Sequence, residues 1–222
     1  MKLAILIPGQ PRNINVAYES LKQFYLDKYE CDIFIHTWLD DKFYSQVYED
    51  MLNLFKPVAL KAEKQIQFAD PSIKDPMWNT PLQNLLSMYY SMFQANSLLM
   101  HGFPKEYDFV MKIRSDLKIV RPIELEKIEK DKLAIYNWTQ LSYNPIGLSD
   151  VFAIGTPKIM DVYSNLYFKV MEYLNNDPTW NINEPKMRAE YLLHHHIITA
   201  NKIEVQKFWH GDQTDPSFYL IR

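Results

Sequence analysis

The chain has 222 residues, 47% of them hydrophobic, enough for one substantial core with an elaboration. A charged fraction of 23% and a formal net charge of -3 exclude a non-specific grip on nucleic acid, so any anionic ligand must be held by a few placed cations or a metal. The lone cysteine, Cys31, excludes an intrachain disulfide framework and a cysteine-rich zinc site, and is compatible with a reducing compartment.

MKLAILIPGQ opens the chain with a short apolar run that stops at Pro8-Gly9, too early for a signal peptide. Lys2 to Ile7 therefore predicts a first strand covered on both faces. Asn13 or Asn15 can cap a helix over Val16 to Tyr29. CDIFIHTW predicts a second buried strand, Tyr44 to Phe55 a helix, and PVALKAEKQIQF a third strand with a charged edge. ADPSIKDPMWNTP is rich in turn residues and predicts an exposed loop. Pro81 to Met100 is the clearest helix, with Thr80 as N-cap, Pro81 at the tolerated first position and a wide apolar face.

YDFVMKIRSDLKIV then predicts one strand, followed by short strands in DKLAIYNW and GLSDVFAIGT. Pro157 to Leu174 and Glu184 to Ala200 predict the last helices, and KIEVQKFWHGD a closing strand and turn. No segment approaches the roughly 18 uninterrupted apolar residues of a membrane span. The expectation is a soluble, cytoplasmic protein without a transmembrane segment. Strand and helix alternate through the first half, which predicts an α/β fold: an open, mostly parallel sheet with helices on both faces and a mixed C-terminal half. One domain over residues 1–222 is expected. Residues 1–120 would form its nucleotide-binding half and residues 121–222 its acceptor or sugar half.

Ligands of open α/β sheets bind beyond the carboxyl ends of the strands, and several polar groups fall there. In PGQPR, Pro8 and Gly9 let backbone approach a ligand, Gln10 adds an amide, and Arg12 can fork onto phosphate or lie solvated in a turn. In FIHTW, His36 and Trp38 can contact or stack on a ligand, or form a packing corner. Arg114 and Asp116 lie two apart on an extended segment and so share a face. They can pair with each other, or Asp116 can hold Mg²⁺ or Mn²⁺ while Arg114 holds a diphosphate. Ser149 and Asp150 precede a strand, where Asp150 can accept hydrogen bonds from sugar hydroxyls. Trp138, ending DKLAIYNW, adds a candidate sugar or acceptor face. Glu190 is a candidate general base on a helix. The neighbouring His-His-His run reads as one buried and two exposed imidazoles rather than a zinc site. His210 and Asp212, in WHGDQ, are candidate metal or phosphate contacts.

GQPR, FIHTW, LSMYYSMFQANSLL, YDFVMKIRSDL, GLSDVFAIG and AEYLLHHHI, in that order, resemble the WavE-type, lipopolysaccharide-synthesis-like glycosyltransferases and the small single-domain glycosyltransferase of chloroviruses. The resemblance runs over most of the chain. It implies a GT-A-like fold and transfer of a sugar from a UDP- or GDP-sugar to a glycan or glycoconjugate hydroxyl. It places Asp116 at the last position of an Asp-x-Asp metal motif whose first position is here Arg114. It makes Asp150 a donor-sugar or acceptor contact, Glu190 the carboxylate facing the reacting centre, and His210 a late metal ligand. Mn²⁺ or Mg²⁺ is the implied cofactor.

Overall fold

The apolar residues of the first strand divide between two layers, and that division sets the architecture. Leu3, Ile5 and Ile7 join one core cluster, while Ala4 and Leu6 join the other. The structure is a computed structural model and describes residues 1–39, 44–74, 80–102, 106–137, 147–176, 188–209 and 217–221. Its strands are β1 (Lys2–Gly9), β2 (Glu30–Leu39), β3 (Ala59–Lys64), β4 (Phe109–Ile113), β5 (Leu117–Ile119), β6 (Lys132–Asn137), β7 (Phe152–Gly155), β8 (Glu204–Trp209) and β9 (Phe218–Leu220). Its α-helices are α1 (Ile14–Leu21), α2 (Tyr44–Phe55), α3 (Leu82–Gly102), α4 (Pro157–Asn176) and α5 (Ala189–His194).

The main sheet has the order β3-β2-β1-β4-β7-β6-β8. β7 is antiparallel to both its neighbours, and every other pairing is parallel. Six strands therefore end on one edge of the sheet, and β7 starts there. Helices α3, α4 and α5 cover one face, against Ala4, Leu6, Phe34 and Val110; α1 and α2 cover the other, against Ile5, Ile35 and Met111. A fully buried aliphatic side chain is worth about 1.5–3 kcal/mol over an exposed one. The two apolar layers thus hold the sheet, and its edge can carry charge.

Local differences from the sequence reading have physical causes. The segment Tyr107 to Val120 is two strands, because the chain turns at Arg114-Ser115-Asp116, with Leu117 N donating to Arg114 O. β5 leaves the main sheet and pairs antiparallel with β9. The first helix starts at Ile14 and ends in a π-helical turn, Lys22–Leu26, which carries Tyr25 into the core. There the Tyr25 hydroxyl donates to Ile123 O and accepts from Ile123 N. Asn13 occupies the cap position in the left-handed region without a side-chain cap; its amide donates to Ile221 O instead. α5 likewise passes into a π-helical segment, His195–Ala200. Both His195 and His196 are buried there, and His196 bonds Tyr173 Oη and Val162 O, so the expected single buried imidazole is two.

Candidate active site

Chain order runs outward from β1 to β3 and then returns to lay β4 on the other side of β1. The crevice between β1 and β4 is therefore the place where strand order reverses, the usual ligand site of an open α/β sheet. A cavity of about 420 Å³ opens there. Its size falls in the range of small-molecule sites, about 300–1,000 Å³.

The end of β1 forms one wall. Pro8, Gly9, Gln10 and Arg12 all line the cavity. Gly9 has φ 107°, a conformation that side chains rarely adopt, and a Cβ placed there would meet no atom within 4 Å. Backbone is thus bare where a ligand would come close. Ser115, in the turn that follows β4, fixes this loop. Its hydroxyl donates to Gln10 O and accepts from Arg12 N, at 2.8 and 3.1 Å. The Arg12 guanidinium is exposed and donates to Gln10 Oε1.

β4 supplies the charges. Its alternation sends Phe109, Met111 and Ile113 into the layer beneath α1 and α2, and Val110 and Lys112 toward α3 and α4. Lys112, Arg114, Ser115 and Asp116 line the cavity. Arg114 forks onto Asp116, Nε to Oδ1 and Nη2 to Oδ2, both at 2.8 Å. Of the two readings of this pair, the direct pairing is formed. Burial would raise the Asp116 carboxyl, but the hydrogen bonds and charge of Arg114, with Arg12 beyond, hold it below the usual carboxylate range. Lys112 is 4% exposed and donates to the Asp150 carbonyl. Burial lowers its ammonium to about 8 against the attraction of Asp150.

Antiparallel pairing brings Asp150 to the same place, since Phe152 of β7 registers with Ile113 of β4. Asp150 lines the cavity, half-buried. Its neighbour Ser149 is buried and does not line it, and Ser149 Oγ has no hydrogen-bond partner among the described residues. Glu190 stands outside the lining at the start of α5 and is tied to this loop by Leu148 N donating to Glu190 O. Burial and then the charge of Asp150 raise its carboxyl above the ordinary range.

Trp38 lines the cavity, whereas His36 does not. His36 lies two residues back on the same face of β2, fully buried, with Nδ1 on Ser91 Oγ at 2.7 Å and Nε2 on Glu63 Oε1 at 2.9 Å. Its ring packs edge-on against Trp38, with centroids 4.9 Å apart. Of the two readings of His36, the packing corner is the one formed. β6 and β8 end on this edge, but Trp138, His210 and Asp212 lie outside the described residues.

Sequence reasoning missed Lys112 and the polar side of α3. A lysine inside FVMKI is a charge in a buried strand, and that was the available signal. Asn84 and Ser87 line the cavity from α3, and Gln65 Nε2 donates to Ser87 Oγ. Their signal was a polar interruption of the helix's apolar face.

The described donors do not fit a divalent cation. Such an ion takes several oxygen ligands. Both Asp116 oxygens are engaged by Arg114, Asp150 is the other carboxylate of the lining, and no group of three His, Cys, Asp or Glu residues converges among the described residues.

No protein-family model and no curated protein matches the chain, so the WavE-type and chlorovirus resemblance rests on the quoted motifs. Solved structures do match. The glycosyltransferase GlyE of Streptococcus pneumoniae TIGR4 aligns at TM-score 0.50 and 13% identity over 94% of this chain and 46% of GlyE. The apo form of the same enzyme aligns at TM-score 0.46 and 14% identity over 92% of this chain and 44% of that one. A candidate nucleotide-diphospho-sugar transferase from Desulfovibrio desulfuricans G20 aligns at TM-score 0.44 and 11% identity, over 94% and 79%. The chain spans less than half the length of GlyE. At these identities the likeness to GlyE establishes the fold alone, an open, mostly parallel α/β sheet with helices on both faces. Among the described residues no helix is long and apolar enough to cross a membrane.

Proposed function

We propose that this protein is a glycosyltransferase that moves a sugar from a nucleoside-diphosphate sugar, with UDP or GDP as the carrier, to a hydroxyl of a glycan or glycoconjugate. One observation carries the reading. A small-molecule-sized cavity at the strand-order reversal gathers three cations, Arg12, Lys112 and Arg114, around a bare glycine backbone, with Asp150 beside Lys112. That combination suits a diphosphate attached to a polyhydroxylated group.

In the reaction the bond from the sugar's anomeric carbon to the β-phosphate oxygen breaks, and its electron pair leaves with the nucleoside diphosphate. A new bond forms from that carbon to the acceptor oxygen, whose proton passes to a carboxylate. Fixed cations at the leaving phosphate stabilise charge where it develops, without reorganisation. Carboxylates near the anomeric carbon favour its oxocarbenium character. Asp150 lines the cavity and would meet sugar hydroxyls or take the acceptor proton. Glu190, its carboxyl raised by burial and by the charge of Asp150, is the second candidate base.

Thermal melting against a panel of nucleoside mono- and diphosphates tests the reading, because a ligand of the native state raises the melting temperature. A diphosphate of one base should raise it, and the shift should vanish in Arg114→Met. Equal melting with every nucleotide would remove the reading.

A further inference from the structure

Lys112 sits at the floor of the cavity with donors to spare. Its ammonium carries three N–H groups. One goes to the Asp150 carbonyl, and none of the other described residues accepts the remaining two. A buried ammonium is costly unless anions or acceptors surround it. The nearest candidate counter-charges are Asp150 and Asp116. Asp116 is already matched by the Arg114 fork. Three cations, Arg12, Lys112 and Arg114, thus share the lining with two carboxylates, Asp116 and Asp150, and the cavity presents an excess of positive charge to whatever enters.

The same fork bears on how a diphosphate is held. A cation bridging protein and phosphates at this edge would need several free carboxylate oxygens; Arg114 engages both of those on Asp116 at 2.8 Å, which leaves Asp150 as the other carboxylate of the lining. Arg114 keeps about a third of its side chain exposed, at 30%, so its outer face remains open to phosphate. We propose that Lys112 and Arg114 grip the donor diphosphate directly, and that this site binds it without a divalent cation. The proposal rests on the glycosyl-donor reading above and specifies how that donor is held. As the anomeric bond breaks, the electron pair moves onto a β-phosphate oxygen beside the Lys112 ammonium. The charge is met there without a proton transfer or a metal.

The test is calorimetric titration of the whole protein with UDP and with GDP, in EDTA and in excess Mn²⁺, for the wild type and Lys112→Met. One of the two nucleotides should bind the wild type with affinities in EDTA and Mn²⁺ that agree within about threefold. Lys112→Met should weaken that nucleotide about tenfold or more and leave the affinity for the bare nucleoside unchanged. Methionine keeps the length of the side chain and removes a buried charge, so the strand should persist, and a thermal melt checks it. If the variant does not fold, the comparison of EDTA with Mn²⁺ on the wild type decides alone. Binding that needs Mn²⁺ by about tenfold or more would overturn the proposal, as would a folded Lys112→Met that binds as the wild type does. If neither diphosphate binds with or without Mn²⁺, the glycosyl-donor reading itself fails, and the grip with it.

Discussion

Replacing Arg114 by Met leaves Asp116 as a buried carboxylate without its cation. The two partners are unequal, since the Asp116 side chain is 2% exposed and that of Arg114 30%. Stranding a buried charge costs about 3–5 kcal/mol, whereas a guanidinium that is about a third exposed recovers some water when its partner is lost. Arg114→Met should therefore cost about 3 kcal/mol or more. Asp116→Asn keeps the shape and one acceptor and should cost only about 1–2 kcal/mol. Urea unfolding followed by tryptophan fluorescence measures both. The pH dependence carries a further sign. In the wild type the Asp116 carboxyl is held below its ordinary value. Its contribution is therefore present above the unfolded value, about 3.9, and is lost as pH falls through the folded one. In Arg114→Met, burial without the cation raises that carboxyl, so part of the deficit should disappear between pH 7 and pH 5 as it takes up a proton. Equal costs for the two variants, or a deficit in Arg114→Met that does not change with pH, would refute this account of the pair.

Three further outcomes are expected. Burial lowers the His36 imidazole from 6.5 to about 4 despite its hydrogen bond to Glu63, so its stabilising contribution is present above pH 6.5 and is lost toward pH 4. The wild type should lose about 2 kcal/mol more than His36→Gln between pH 7 and pH 5 in urea unfolding; His194 and His196, also lowered, are common to both proteins. Lys112, facing Arg114, Asp116, Asp150 and the tyrosines Tyr89 and Tyr163, gives up its proton near pH 8 in the free protein. Nucleoside diphosphate affinity should then fall several-fold, on the order of one pKa unit's worth, from pH 7 to pH 9 in the wild type and stay flat in Lys112→Met, as calorimetry would show. Gly155→Ala would bring its Cβ to 2.8 Å from Ile159 Cγ2 and should cost about 1–3 kcal/mol in a thermal melt.

The buried strands were legible because their apolar runs are nearly continuous, and the edge position of PGQPR and RSD followed from where those runs stop. The breaking of Tyr107 to Val120 into two strands was not legible. The turn depends on Ser115 bonding a loop about a hundred residues away and on β9 pairing with β5 from the far end of the chain. Asp150 was found as a strand-mouth carboxylate, but its reach into the site depends on β7 running antiparallel to β4, a pairing that local pattern does not encode. His36, at a strand end, left a ligand contact and a packing corner both open; the fold placed it inside, against Ser91 and Glu63. Lys112 was overlooked inside an apolar strand, where its charge should have been the signal.

Glycosyl transfer itself is most directly tested by release of nucleoside diphosphate from a panel of UDP- and GDP-sugars, read by mass spectrometry, in the wild type and in Asp150→Asn. Release from one donor well above the uncatalysed background, and its loss in Asp150→Asn while donor binding persists, is the expected result. Tight binding of a nucleotide sugar with release no faster than background would contradict the claim and make this a binding protein without that chemistry.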